Sequence, residues 1–373
     1  MAVKLLQREA LTFDDVLIAP RRSSVYSRSD VSLRTRLVGD LMLDMPIISA
    51  NMDTVTELRM AETMHRLGGL GVIHRFITDA PTHARMVSDT PGTRILAIGV
   101  KSADLTKVDL CDGLHGVLID VAHGHHDRVM EMVQAVRERH PDLWVIAGNV
   151  ATAEGAWDLL EAGAHAIKVG VGPGAVCTTR IVTGCGVPQL TAILEVRAAL
   201  DRWWDIETRR KNPRLEHPPT LIGDGGIRNS GDMVKALVAG ADTVMLGSLL
   251  AGTEEAPGEV IDRDGLSFKV YRGMASSAAQ AVVGSDRTPE GISTLVPCKG
   301  SVVPLIRELE GGIRSGFSYC NAASMTDLRT QTIELVRVSG SSLRENMPHA
   351  VFGTNNLQVT TSVQPAIMSA KAH

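Results

Sequence analysis

Short apolar segments recur along the chain, each separated from the next by a longer amphipathic stretch. These segments, rich in Val, Ile and Leu, are residues 46–53, 70–75, 95–100, 116–121, 144–150, 166–172, 220–226 and 243–248. Their near-continuous hydrophobicity predicts parallel strands that are buried on both faces. Residues 126–140 and 152–163, which lie between such segments, have the apolar spacing of helices. The chain therefore alternates predicted strands with predicted helices.

Eight such units in succession predict a closed (β/α)8 barrel, the TIM-barrel architecture of the α/β class. An open doubly wound sheet is the alternative, but it usually has fewer units and its glycine-rich turn opens the first helix. Here the richest glycine run follows the sixth strand. We expect residues 1–373 to form a single barrel domain with a core at about 46–270 and extensions at both ends. Residues 203–219 are expected to form an exposed connection into the seventh strand.

Composition and charge narrow the class of protein. The chain has 38 Lys and Arg residues against 42 Asp and Glu, a formal net charge of -4. This balance argues against bulk attraction to nucleic acid or to an acidic membrane. No apolar stretch reaches the roughly 18 residues that cross a bilayer. The five cysteines are an odd set without a CxxC pair and no signal peptide is recognisable, so we expect a cytoplasmic protein.

Polar and glycine residues stand at the carboxyl ends of the predicted strands. In a (β/α)8 barrel these ends meet at one mouth, where catalysis normally takes place. The sixth strand leads into the loop GVGPGAVCTT, residues 170–179. The other strand ends supply Asn51, Asp53, His74, Arg75, Asp120, Asn149, Asp224, Gly225, Gly226, Gly247 and Ser248.

The loop after the sixth strand carries the most specific chemical signal. Gly172 and Gly174 allow a tight turn that exposes backbone amides and carbonyls. Cys177 lies on this loop beside Arg180, where a nearby cation and oriented amides favour a reactive thiolate. A small buried cysteine is the alternative. The glycine-rich position at a strand end favours the nucleophile.

Two further glycine-containing strand ends predict an anion site. GDGGIRNSGD at 223–232 and VMLGS at 244–248 follow the seventh and eighth strands, where barrels of this class commonly bind phosphate through backbone amides. Structural turns are the alternative, and Asp224 could instead bind the two hydroxyls of a ribose. The histidines at 115, 123, 125 and 126 lack the spacing of a zinc site and are predicted to lie in solvated loops.

Read together, these motifs resemble the IMP dehydrogenase and GMP reductase family. The resemblance rests on residues 170–186, GDGGIR, AGTEEAPGE and YRGM at 271–274. It covers nearly all of residues 8–345, including LTFDDVLIAP near the start. It implies the barrel fold and chemistry at C2 of a purine nucleotide, GMP or IMP, through a thioimidate formed by Cys177.

The resemblance also separates two activities by a flap at about 275–291. The dehydrogenases pass hydride from IMP to NAD and hydrolyse the adduct with an Arg-Tyr pair on a long flap. The reductases expel ammonia from GMP and accept hydride from NADPH. Residues 275–289 contain no Arg-Tyr pair, and no CBS module interrupts residues 87–94. We therefore favour a GMP reductase. An IMP dehydrogenase without CBS domains and a non-catalytic regulator that binds purine nucleotides are the alternatives.

The same resemblance implies a role for each site residue. The catalytic residues would be Cys177, Thr179 and Glu290. The nucleotide would contact Asp224, Gly225, Gly226, Gly247, Ser248, Gly273, Met274, Ala275, Arg287 and Gly291. The dinucleotide would lie near Ser27, Arg28, Arg75, Asp120, Val121, Ala122, Asn149 and Ser315. Carbonyls of Gly172, Gly174 and Cys177 would bind potassium.

Three further features follow from the resemblance or depart from it. A homotetramer is expected, and residues 292–373 would form a C-terminal extension. Ala175 stands where a phosphate-binding serine is common, and the segments IVTGCGVPQ and AGTEEAPGE resemble dehydrogenases more closely.

Overall fold

The computed structural model describes residues 9–211, 213–282, 284 and 287–346. Its strands are β1 Val16–Ile18, β2 Thr35–Val38, β3 Leu41–Leu43, β4 Ile47–Ser49, β5 Leu70–Gly71, β6 Ile95–Ile98, β7 Gly116–Asp120, β8 Trp144–Val150, β9 Ala166–Val169, β10 Thr220–Asp224, β11 Thr243–Leu246, β12 Ile261–Arg263, β13 Leu266–Arg272, β14 Ser293–Pro297 and β15 Leu335–Arg337. Its helices are α1 Leu58–Arg66, α2 Ala80–Ser88, α3 Ser102–Asp109, α4 Asp127–Arg139, α5 Ala153–Glu161, α6 Thr179–Thr183, α7 Gln189–Glu207, α8 Ser230–Ala239, α9 Ser277–Val282, α10 Val302–Tyr319, α11 Met325–Thr330 and α12 Ser342–Glu345.

Eight parallel strands of the described chain form the barrel. They are ordered β5-β4-β11-β10-β9-β8-β7-β6, and a parallel bridge between Ile73 and Leu96 joins the two ends of this series. The strands lie where the apolar segments predicted them. Residues such as Val117, Leu118 and Ile119 of β7 are almost wholly buried, because both faces of a parallel barrel strand are covered. The (β/α)8 fold is confirmed.

The helices predicted between the strands are present, with their caps. α5 follows Thr152, whose hydroxyl accepts a hydrogen bond from the Gly155 amide, and α4 follows His126, whose ring accepts one from the Arg128 amide. Such caps satisfy amides that the first helical turn leaves free. Among the described residues, no helix combines the length and apolar character needed to span a membrane.

The residues before the barrel cover its amino-terminal end. β2 and β3 form an antiparallel hairpin that lies against the starts of β10 and β11. Thr35 Oγ1 donates to the Asp242 carbonyl at 2.7 Å, and Thr220 Oγ1 donates to the Leu37 carbonyl at 2.5 Å. β1 pairs with β15 near the other terminus of the described chain.

Two sequence expectations need correction. The barrel core was expected to end near residue 270, yet the eighth barrel helix is α10, which packs on α8 after the antiparallel sheet β12–β14 has intervened. Residues 203–219 were expected to be exposed, but α7 continues to Glu207 and Trp203 is 1% exposed. Its indole donates to Glu161 Oε1 at 2.8 Å, so the large ring packs inward and its polar atom is satisfied. Of the expected extension 292–373, residues 347–373 lie outside the described residues.

Candidate active site

A cavity of about 230 Å³ opens at the carboxyl ends of the barrel strands. It brings together most of the residues that the sequence singled out. The predicted residues that line it are Arg75, Asp120, Val121, Ala122, Asn149, Gly172, Gly174, Cys177, Thr179, Asp224, Gly225, Gly273, Met274, Ala275 and Glu290. We call this space the catalytic cavity.

The loop that presents Cys177 is fixed by glycines and by one arginine. Gly170 has φ +149°, and a Cβ there would lie 2.0 Å from the Asp224 carbonyl oxygen, so a side chain is excluded. Arg180 Nε donates to the Val171 carbonyl at 3.1 Å, and its Nη2 donates to the Val187 carbonyl at 2.7 Å. Arg180 thus links Val171, which precedes Cys177, to Val187, which follows it. Burial lowers the pKa of Arg180, while the charge of Cys177 opposes that shift.

The end of the flap is paired to the cysteine loop. Cys177 and Gly291 form an antiparallel bridge, and the Thr178 amide donates to the Glu290 carbonyl at 2.9 Å. The Cys177 thiol donates to Thr179 Oγ1 at 3.2 Å. This backbone pairing brings the Glu290 side chain into the same cavity as the thiol and the hydroxyl. The arrangement places a nucleophile and two proton-carrying groups in one space.

A buried lysine that the sequence reading missed connects the two sides of the cavity. Lys168 Nζ lies 2.8 Å from Asp120 Oδ1 and 2.6 Å from Asp224 Oδ2. Burial alone would lower the pKa of Lys168, but the two carboxylates raise it above its ordinary value. The side chain of Asn149 donates to the same Asp224 oxygen at 2.8 Å. The available signal was a charged residue inside the apolar run AIKVGVG.

The Arg75 side of the cavity is held by backbone acceptors. Arg75 Nε donates to the Asp120 carbonyl at 3.0 Å, and its guanidinium lies 4.5 Å from the centre of the Phe76 ring. The buried Lys107 ammonium donates to the carbonyls of Arg75 and Ile77 at 3.2 and 3.1 Å. These contacts hold the loop after β5 in place, and Arg75 lines the catalytic cavity.

A second cavity of about 280 Å³ adjoins the cysteine loop. Gly226, Ser248 and Ala175 line it together with residues of the LTFDD segment. Arg228 closes one side, since its guanidinium lies 2.6 Å from Asp14 Oδ1 and 3.0 Å from Asp232 Oδ2. The two predicted phosphate loops therefore meet here, while the positive charge of Arg228 is already balanced by carboxylates.

Six of the predicted residues line neither cavity. Gly247 lies behind Tyr271, because a Cβ on Gly247 would come 3.0 Å from the tyrosine hydroxyl. Gly291 contributes backbone pairing, and Arg287 is exposed. The remaining three lie elsewhere in the chain: Ser27 and Arg28 at the 3-10 helix Arg28–Asp30, and Ser315 in α10. Residues 283, 285 and 286 of the flap lie outside the described residues.

Tyr271 is a second residue that the sequence reading left without a role. It belongs to the YRGM motif, is 4% exposed and lines the catalytic cavity. Burial raises the pKa of Tyr271, so the phenol remains neutral and can donate a hydrogen bond.

The loop carbonyls suit a monovalent cation only in part. Carbonyl oxygens are hard ligands of the kind that such ions prefer. The Gly174 carbonyl already accepts the Cys177 amide at 3.0 Å, which leaves it one further lone pair. Among the described residues no group of three or more His, Cys, Asp or Glu side chains could hold a metal ion.

Comparison with known proteins places the chain in a family. A family model described as the IMP dehydrogenase / GMP reductase domain matches residues 10–349. An inosine-5'-monophosphate dehydrogenase of Borreliella burgdorferi is 37% identical over 93% of this chain and 98% of that protein. The corresponding enzyme of Halalkalibacterium halodurans is 35% identical over 92% and 96%. A GMP reductase of Leishmania donovani is 32% identical over 92% and 97%.

The alignment with the Halalkalibacterium enzyme extends over 484 positions, more than the 373 residues of this chain. That relative therefore has inserted residues without a counterpart here. In this chain α2 ends at Ser88 and β6 begins at Ile95, so residues 89–94 alone connect them. The matches cover nearly the whole barrel and its catalytic cavity. The chain thus belongs to the IMP dehydrogenase/GMP reductase family, whose oxidoreductases act on purine nucleotides with a nicotinamide cofactor.

Proposed function

We propose that this chain is a GMP reductase, which converts GMP to IMP and ammonia with NADPH through a thioimidate on Cys177. The observation that carries the direction of the reaction is the flap. Residues 275–289 contain no tyrosine, and Arg287, the one arginine there, is exposed. Hydrolysis of a thioimidate needs a positioned base to activate water. The flap of this chain lacks the Arg-Tyr pair that performs this step in the dehydrogenases it resembles.

The thiol and its neighbours perform the first half of the reaction. Cys177 Sγ attacks C2 of GMP, and its proton leaves by way of Thr179. The C2–N bond to the exocyclic amino group then breaks as Thr179 and Glu290 deliver a proton to the departing ammonia. The contact of 3.2 Å between the Cys177 and Thr179 side chains supports this relay. The product of this half is the thioimidate.

The second half returns the enzyme to its starting state. NADPH, when bound, supplies the hydride that reduces C2. The C2–S bond then breaks, its electron pair returns to Cys177, and IMP is released. Lys168 holds Asp224 toward the nucleotide ribose and Asp120 toward the dinucleotide, so that the two ligands are oriented by one ammonium. Arg75, which lines the cavity, is the residue proposed for the 2′-phosphate, whereas Arg28 does not line it.

The second candidate is an IMP dehydrogenase, which would form XMP from IMP with NAD. It is favoured by the relatives, because dehydrogenases from Borreliella and Halalkalibacterium match at 37% and 35% identity against 32% for the Leishmania reductase. The difference is small, and both activities share the cysteine chemistry. A regulator without catalysis is disfavoured by the aligned Cys177, Thr179 and Glu290 side chains.

Three further features belong to the same proposal. A homotetramer and a cytoplasmic location are expected from the family resemblance and from the composition. Potassium would bind at the carbonyls of Gly172, Gly174 and Cys177.

One assay separates the two reaction directions. Purified full-length protein is mixed with GMP and NADPH in one cuvette and with IMP and NAD in another, and absorbance at the nicotinamide band is followed. The reductase predicts NADPH consumption with stoichiometric ammonia and IMP, and little XMP in the second cuvette. Robust XMP formation without GMP-dependent NADPH consumption would establish the dehydrogenase instead. The variant Cys177→Ala serves as the inactive control, and Cys185→Ala, at an exposed cysteine farther along the same loop, as the matched active one.

A further inference from the structure

A further candidate site, outside the catalytic region, lies at the opposite end of the barrel. A cavity of about 540 Å³ is formed where β10 and β11 begin, and we call it the amino-terminal cavity. Thr220 lines it at the start of β10, whereas Asp224 at the end of the same strand lines the catalytic cavity. Its volume lies within the range of about 300–1,000 Å³ that is usual for small-molecule sites. The hairpin β2–β3, α7, α8 and α11 all contribute residues.

Positively charged side chains outnumber carboxylates in the lining of this cavity. Arg36, Arg197 and Arg329 line it, against the carboxylates of Asp201 and Asp242. Asp242 is shared, because Arg197 Nη1 and Arg329 Nη2 lie 3.4 and 3.1 Å from its two oxygens. It also accepts the Leu221 amide at 2.8 Å. Asp201 pairs with Arg197 but its side chain is 65% exposed, so water screens most of its charge.

Arg36 is the arginine of this cavity that forms no ion pair with a carboxylate in the part of the chain that the structure describes. It forms none of the ion pairs described above, and its Nη1 is buried without a hydrogen-bond partner among the described residues. Arg197 Nε is in the same situation. Buried donors of this kind are rarely left without an acceptor, because desolvating them costs free energy. The pattern indicates that an anion supplies acceptors here.

Part of the remaining lining is apolar and comes from several elements, beside the polar Thr220, Gln331 and Thr332. Pro219, Val238, Leu328 and Ile333 form this part of the wall. An apolar wall with a few placed polar groups is the usual composition of a ligand site. A guanidinium offers a planar fork that matches phosphoryl oxygens, and a phosphate monoester carries about -1.5 to -2 charges at pH 7. A phosphoryl group can therefore balance the charge of Arg36 and offer further oxygens as acceptors to the unpartnered Arg36 Nη1 and Arg197 Nε.

We propose that the amino-terminal cavity binds a small phosphorylated molecule, with its phosphoryl group on Arg36 and its organic part against the apolar wall. This inference is independent of the reaction catalysed at the other end of the barrel. The phosphoryl group could belong to a free phosphate ion, a sugar phosphate or a nucleotide, which share the same anionic chemistry.

Titration calorimetry with inorganic phosphate, ribose 5-phosphate and AMP tests the proposal, with citrate as the non-phosphoryl anion. The full-length wild type is compared with Arg36→Met and with Arg34→Met, a matched change at an exposed arginine two residues away. Only the binding that depends on Arg36 counts, because the catalytic cavity lies at the other end of β10. We expect at least one phosphorylated probe to bind tenfold or more weakly to Arg36→Met and equally to Arg34→Met. Binding of inorganic phosphate would show that the phosphoryl group suffices, and binding of AMP alone that the apolar wall is also required.

A second variant covers the case in which Arg36→Met fails to fold. Thr332 is exposed and lines the cavity, so Thr332→Trp should obstruct it without altering the buried charges, and should weaken the same probe. Equal binding of every probe to all four proteins, or no binding at all, would overturn the proposal. Citrate binding that depends on Arg36 and exceeds that of every phosphorylated probe would overturn the phosphoryl assignment.

Discussion

The two ends of β9 bury ionisable side chains in opposite ways. At the carboxyl end, Lys168 is fully charged because Asp120 and Asp224 both contact its ammonium. At the amino end, His165 is 5% exposed, and its ring Nδ1 accepts a hydrogen bond from the Val145 amide at 2.9 Å. Burial lowers the pKa of His165 to about 3, so the ring is neutral at physiological pH.

The difference shows how one strand serves two purposes. A buried charge is retained only where partners compensate its desolvation. The carboxyl end supplies those partners as the carboxylates of Asp120 and Asp224, which line the catalytic cavity. The neutral His165 ring instead packs edge-on against Trp144, with ring centres 4.9 Å apart, and adds to the core. The ionic network lies at the end of the barrel where we propose that the reaction takes place, and the predictions below test that proposal.

The largest effect on turnover is expected from substitution of Cys177, the proposed nucleophile at the carboxyl end of the barrel strands. Cys177→Ser should lower turnover by at least about a thousandfold, because a serine hydroxyl is a far poorer nucleophile than a thiolate at neutral pH. GMP binding, followed by calorimetry, should remain. Cys185→Ser at the exposed cysteine is the control and should keep full activity. Substantial turnover by Cys177→Ser would contradict covalent catalysis.

Removing the ammonium tests whether the network depends on it. Lys168→Met removes the ammonium that contacts both Asp120 and Asp224, and the free energy of unfolding should fall by about 3–5 kcal/mol. Urea unfolding measures this loss. Lys211→Met, at an exposed lysine, should change the free energy by less than about 0.5 kcal/mol. If Lys168→Met lowered the free energy of unfolding no more than Lys211→Met does, the claim that buried ion pairs stabilise the carboxyl end of β9 would be wrong.

Substitution of Glu290, the proposed proton donor, should slow ammonia release more than hydride transfer. Glu290→Gln retains the size of the side chain but cannot carry the proton, so ammonia release should slow by about a hundredfold. Rapid-quench measurement of ammonia formed from GMP, and of NADPH formed from IMP and NADP⁺ in a single turnover, separates the steps, because the second reaction transfers hydride without passing through ammonia release. Hydride transfer slowed as much as ammonia release would assign Glu290 a role in positioning rather than in proton transfer.

At the amino end of β9, the buried His165 ring predicts a smaller effect, a dependence of the free energy of unfolding on pH. Between pH 6.5 and about 3 the unfolded chain binds a proton at His165 that the folded chain does not. The free energy of unfolding should therefore fall as the pH falls, by about 1.4 kcal/mol per pH unit from this residue. His165→Asn, which keeps an acceptor for the Val145 amide, should reduce the slope measured by urea unfolding by this amount without abolishing it, because burial also lowers the pKa of His83 to about 3. His123→Asn, at an exposed histidine, should retain the slope of the wild type, and equal slopes in all three proteins would refute the assignment.

Much of the fold could be predicted because buried parallel strands are apolar along their whole length. β7 and β9 lie inside the segments 116–121 and 166–172 that the pattern indicated. The identity of the eighth barrel helix could not be predicted, since periodicity shows that α10 is amphipathic but not which surface it covers. Trp203 was misjudged for a related reason: charged neighbours made its segment look exposed, while packing on the α5 side decided its burial.

The site was predictable where a loop carries its own chemistry and not where distant residues meet. Cys177 and its glycines are recognisable from a single continuous segment. Lys168 acquires its role only when β9 lies beside β10 and is separated from β7 by β8 alone. Arg36 reaches the amino-terminal cavity from a hairpin outside the barrel sheet. Such juxtapositions depend on strand order, which local sequence does not encode.

Mass spectrometry of acid-quenched protein tests the central claim most directly. The full-length chain is incubated with GMP and NADP⁺, the oxidised cofactor that cannot donate hydride, and then digested. The account predicts a purine nucleotide adduct on the peptide that contains Cys177, with one ammonia released per adduct and no adduct in Cys177→Ala. Its absence from wild-type protein that still oxidises NADPH with GMP, or its presence on a different cysteine, would contradict the account.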